Sequence, residues 1–180
     1  PAHHSQGRDL QERAVRPKYH HLHRLAERQG FRQPRRFASE YDETMDMPQN
    51  AFTVDVEDYY HVSAFERHIP RDQWHAQPAR VENSTATLLE LLAARGVKAT
   101  FFTLGWVAQR YPALVRQIVD AGHELASHGY GHERASDLSQ EAFAEDISRS
   151  KAILEDISGA PVLGYRAPSF SIGKQNLWAF

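Results

Sequence analysis

Apolar residues recur along the chain in two alternating rhythms from about residue 51 onward. Residues 51–56 (AFTVDV) form a short, β-branched, largely apolar run of the kind that becomes a buried strand. Leu88, Leu89, Leu91 and Leu92 then recur at helical spacing; Asn83, Ser84 and Thr85 offer N-caps, and Gly96 supplies the stop. Residues 97–104 (VKATFFTL) read as a second strand whose exit loop opens at Gly105 and Trp106. Pro112 suits a first helical turn, with Leu114, Val115, Ile118 and Val119 on the buried stripe and Gly122 as the end. Residues 123–127 make a third strand. Asp137 or Ser139 caps a helix that carries Phe143, Ile147, Leu154 and Ile157 in period and ends at Gly159, and residues 162–165 make a fourth strand. Strands alternating with helices predict an α/β fold with parallel strands.

Two segments depart from this rhythm. Residues 61–80 read as a long loop bearing aromatic side chains. Residues 1–46 are polar and weakly patterned, with His3, His4, His20, His21 and His23 clustered, and read as a disordered or non-native leader. The folded domain is expected over residues 47–180, beginning near Met47.

Composition narrows the chemistry. The 180 residues carry a formal charge of −2, which provides no global attraction for nucleic acid or an anionic membrane. There is no cysteine, so disulfides and thiolate chemistry are excluded and any metal must be held by His, Asp or Glu. No apolar run approaches a membrane span, and residues 1–30 lack the apolar middle of a signal peptide, so a cytoplasmic location is expected.

The chemistry-bearing residues fall at the predicted C-terminal ends of strands, which parallel pairing brings to one side. Asp55, Glu57 and Asp58 close the first strand; Ser127-His128-Gly129-Tyr130-Gly131-His132 follows the third; Arg166-Ala167-Pro168 follows the fourth. Two imidazoles on a glycine-curled loop with one carboxylate make an N, N, O donor set for Zn²⁺ or a similar cation. A second carboxylate is then available as a base, and Arg166 could orient it or neutralise its charge. Either Glu57 or Asp58 could be the third ligand.

These residues resemble the first three motifs of the polysaccharide deacetylases, carbohydrate esterase family 4, with the NodB-homology fold. The resemblance rests on TVDVED (53–58), SHGYGH (127–132) and YRAP (165–168) in order, and is nearest to the exosortase and exopolysaccharide branch through DVEDYYHVSAFE (55–66) and GYRAPSFSI (164–172). It implies the N-terminal part of a distorted (β/α) barrel and metal-dependent deacetylation of N-acetylated sugars in a polysaccharide. It also implies Asp55 as catalytic base, Arg166 as its partner, and His128 and His132 as metal ligands. Glu57, on the same strand face as Asp55, is taken as the third ligand with Asp58 as the alternative. A backbone N–H within residues 165–170 would face the oxyanion. The family's proton donor, a histidine of a later motif, has no counterpart before Phe180, so this stretch is expected to be inactive alone. His61 and His68 are expected at the surface.

Overall fold

The computed structural model describes residues 50–180; the polar leader expected at residues 1–46 lies outside them. Three parallel strands, β1 (Thr53–Val56), β2 (Thr100–Thr103) and β3 (Glu124–Ser127), pair in that order. Register puts Val54, Phe101 and Leu125 in one row, and Asp55, Phe102 and Ala126 in the next. Successive rows face opposite sides of a sheet. The first row belongs to the apolar core, while Asp55 and Phe102 are turned away from it. The same register brings Val56, Thr103 and Ser127 level, so the residues that follow them emerge side by side.

Helices cover the core face. In one cluster, Val56, Phe101 and Leu104 pack with Val81 and Leu92 of α1 (Val81–Arg95) and with Leu114 and Ile118. These last two lie on α3 (Pro112–Asp120), which follows α2 (Gly105–Arg110). Ala108, Val115 and Leu125 join Leu154 of α4 (Gln140–Ser158) and Val162 in a second cluster. Of the two caps the sequence offers for α4, Asp137 and Ser139, the structure uses Ser139, whose Oγ accepts the Ala142 N–H at 3.2 Å, and the helix stops at left-handed Gly159. No helix among the described residues is long and apolar enough to cross a membrane.

The structure corrects four local expectations. α1 begins at Val81, ahead of Asn83, Ser84 and Thr85, because its first N–H groups are satisfied from a distance: one Asp58 oxygen accepts from Arg80 N at 2.7 Å and Val81 N at 3.0 Å. Gly105 opens α2 rather than a loop. Its N–H and that of Trp106 donate to the carbonyls of Gly129 and Tyr130 at 2.9 and 3.0 Å, and a Cβ on Gly105 would lie 2.9 Å from the Tyr130 ring.

The fourth strand reduces to a single parallel bridge between Ser127 and Tyr165. Val162 cannot extend a ladder because α4 side chains occupy its backbone: its N–H donates to Glu155 and its carbonyl accepts from Lys151. The 61–80 segment also gains order, with a 3₁₀ turn at Arg71–Ala76 and with Tyr60, His61 and Trp74 buried.

Asp58→Ala is expected to destabilise the fold by about 1–2 kcal/mol through loss of this cap, read from the urea midpoint. An unchanged midpoint would remove Asp58 from the account of α1.

Candidate metal centre

Glu57 leaves β1, His128 leaves β3, and His132 closes the loop that follows. Each offers one donor atom, and the three atoms lie within 4.8 Å of one another. Both imidazoles are buried. His128 Nδ1 is 2.8 Å from the Arg166 carbonyl, a contact in which Nδ1 must donate, so Nε2 carries the lone pair. His132 sits at φ 54°, an unusual left-handed conformation for a non-glycine residue.

The electrostatics fit a cation. Burial, reinforced by Asp55, pushes the Glu57 carboxyl up to about 7. Burial, reinforced by His128, pushes His132 down to about 4, and burial also lowers His128. Glu57 Oε2 is buried without a hydrogen-bond partner; His132 Nε2, 3.2 Å away, does not meet hydrogen-bond geometry with it. Two neutral imidazoles and a buried, uncompensated carboxylate form a donor set that a divalent cation would satisfy.

The loop is held from three sides. Ser127 Oγ donates to Ser150 Oγ at 2.9 Å, and Ser150 Oγ donates to the Gly129 carbonyl at 3.0 Å. The Asp146 carboxylate accepts from Tyr130 N at 3.1 Å. Gly129 has φ 77°, which favours glycine, and a Cβ there would lie 2.7 Å from Asp146 Oδ2 and push that carboxylate aside. Arg71 Nε donates to the Gly131 carbonyl at 3.0 Å. Asp146 and Ser150 went unnoticed in the sequence; their i, i+4 spacing on α4 places both on one face, but no pattern announces what that face meets.

Beside the triad, Arg166 donates from Nη1 to Asp55 Oδ1 at 2.6 Å and from Nη2 to Thr53 Oγ1 at 2.7 Å. Its guanidinium lies 4.0 Å from the centroid of the Phe102 ring. Asp55, Glu57, His128, His132 and Arg166 all border one cleft of about 500 Å³. Asp58, the alternative ligand, is not among them, because its carboxylate is committed to α1. The Arg166 N–H, one of those expected near an oxyanion, is bonded to the Ser127 carbonyl. His61 is buried, contrary to expectation, whereas His68 is exposed.

A family model described as polysaccharide deacetylase matches residues 72–179. The chain belongs to the polysaccharide deacetylase family. A peptidoglycan-N-acetylglucosamine deacetylase of Bacillus cereus is 38% identical over 84 residues, covering 47% of this chain and 39% of that protein. A chitooligosaccharide deacetylase of Azorhizobium caulinodans is 34% identical over 85 residues, covering 47% and 40%. The structure of peptidoglycan deacetylase PdaC from Bacillus subtilis superposes with a TM-score of 0.52 at 25% identity, covering 69% of this chain and 51% of that one. The three-stranded sheet is thus part of a deacetylase (β/α) fold, and the chain spans about two fifths of the length of these curated relatives.

A cation held by this donor set would have to displace the Glu57 proton below about pH 7, while the His132 imidazole stays neutral down to about pH 4 and burial likewise lowers His128. Apparent metal affinity is therefore expected to fall about tenfold per pH unit below 7, and more steeply near 4. In the metal-free protein the same raised value means that Glu57 favours folding below its ordinary 4.5, an advantage lost as pH rises through about 7. Competitive zinc titration between pH 5.5 and 8 checks the first effect, and a flat profile contradicts it.

Proposed function

We propose that the protein hydrolyses the acetamide bond of N-acetylated sugar units in a glycan, with Glu57, His128 and His132 holding a divalent cation, Zn²⁺ by donor type. The single observation that carries this reading is the presence, in one cleft, of a three-ligand donor set and a separate carboxylate–arginine pair. A site that only stored a metal would need the first but not the second.

A divalent cation bound by these residues supplies Lewis acidity, lowering the pKa of water and drawing charge from a carbonyl oxygen. The protein does the rest. Thr53 anchors the Arg166 guanidinium, and Arg166 in turn holds Asp55 Oδ1 so that Oδ2 is left to accept a proton. The Arg166 carbonyl, through His128 Nδ1, sets the tautomer of that ligand. One arginine thereby orients both the base and a ligand.

The relatives named for peptidoglycan N-acetylglucosamine and for chitooligosaccharides support an N-acetylglucosamine-type unit as substrate. The likeness to the exopolysaccharide-associated branch supports a secreted polymer as its source. Acetate release from N-acetylglucosamine oligomers, abolished by a chelator and restored by Zn²⁺, is the expected result. One bound metal per chain without any acetate release would overturn the catalytic reading.

A further inference from the structure

Two arginines, on α2 and α4, carry charge that the fold leaves unpaired. Among the described residues, the ion pairs of arginine are made by Arg71, Arg134 and Arg166, and neither Arg110 nor Arg149 takes part in one. Both are exposed, yet aromatic rings hold them in place. The Arg149 guanidinium lies 3.4 Å from the centroid of the Tyr130 ring, and that of Arg110 lies 5.7 Å from the centroids of Trp106 and Tyr111. Arg110 is fixed further by its Nε, which donates to Tyr111 Oη at 3.1 Å. Asp146 feels the charge of Arg149, but its carboxylate is turned to the Tyr130 N–H.

His75, Trp106, Gln109, Arg110 and Tyr130 line a cavity of about 250 Å³. No carboxylate borders it. The cleft of the metal centre carries Asp55 and Glu57, the cavity beside Trp74 carries Glu66 and Asp72, and the one at the opposite end of the sheet carries Glu124. In a chain of net charge −2, a lining with a cation and no anion is selective for negative groups. Its donors are also free to act. Tyr130 Oη donates to Gln109 Oε1 at 2.9 Å, which leaves the Gln109 amide hydrogens for another acceptor. Arg110 spends Nε on Tyr111 and Nη2 on the His75 carbonyl, at 3.4 Å, and keeps Nη1. A guanidinium, an amide and an imidazole around a space too small for a whole drug-sized ligand suit one compact anion with several oxygens, which is a phosphate rather than a carboxylate.

We propose that this cavity is a phosphate-binding site, filled by a phosphodiester of an anionic polymer or by free phosphate. The site is separate from the metal-bearing cleft, with which it shares no lining residue, and it meets the loop of His128 and His132 only at Tyr130. It does not depend on the reaction proposed above.

The test titrates the full chain, freed of metal and at constant ionic strength, with inorganic phosphate. It follows the indole N–H resonance of Trp106, one of three tryptophans, identified by its loss in Trp106→Phe. A saturable shift is expected, and chloride should leave the signal in place. Arg110→Gln should raise the midpoint by about tenfold or more, the loss of one charge-assisted hydrogen bond. Arg149→Gln should act in the same direction, and Arg110→Lys should recover part of the binding. An oligomer of glycerol phosphate that saturates the site at about a tenfold lower concentration of phosphate groups upholds the site and makes a polymer its occupant. The same midpoint per phosphate group upholds it as a site for free phosphate. A shift that does not saturate, an equal shift with chloride, or a midpoint unchanged in Arg110→Gln overturns the inference, whether or not acetate is released. An oligogalacturonate bound as tightly as the glycerol phosphate oligomer overturns the phosphate assignment.

Discussion

His128→Ala is expected to strip the metal from the protein and reduce acetate release to background. The imidazole is buried, and its replacement leaves one nitrogen and one carboxylate to hold a divalent ion. Loss of a group that only hydrogen-bonds to a ligand already weakens metal binding by about 10–100-fold, so loss of a ligand should exceed that. The fold should persist, because the loop is tied down independently by Ser127, Ser150 and Asp146. Metal content by mass spectrometry and the thermal midpoint of the metal-free proteins separate these effects. A variant that kept one ion per chain would exclude His128 from the ligand set.

Asp55→Asn should divide the two halves of the site. Removal of a general base lowers turnover by about 10²- to 10⁴-fold, yet Asp55 is not among the clustered donor atoms, so metal should remain bound. Asp55 is one of the causes raising Glu57, so its neutralisation makes the Glu57 carboxylate easier to ionise, and metal binding below pH 7 should be no weaker than in the parent protein. Turnover lost together with the metal would make Asp55 a ligand rather than a base. Turnover retained would put the base elsewhere.

Much of the architecture was legible because it is written in short-range patterns. Ser139 and Gly159 bracket α4, and Pro112 opens α3, since capping and φ restriction act over a few residues. The errors fall where distant groups intervene. The start of α1 is set by Asp58, 22 residues before Arg80. The expected fourth strand is suppressed by Lys151 and Glu155, which bond the Val162 backbone that a ladder would need. His61 looks like a loop histidine and is buried in an aromatic cluster, because a loop that folds back on the sheet acquires an interior no periodicity reveals.

The site divides along the same line. Residue types and their order were enough to nominate two histidines, an acidic cluster and an arginine as one cavity, because parallel strands must bring their C-terminal ends together. They favoured Glu57 over Asp58 by strand face alone, since the two are neighbours with nearly the same chemistry. The tertiary structure adds what separates the two physically: backbone N–H groups at the start of α1 claim Asp58, while Glu57 is left buried beside His132 with an oxygen that no described group satisfies. Ligand chemistry is a property of side chains and can be read along the chain. Which ligand is free to act depends on what the folded chain has already bonded.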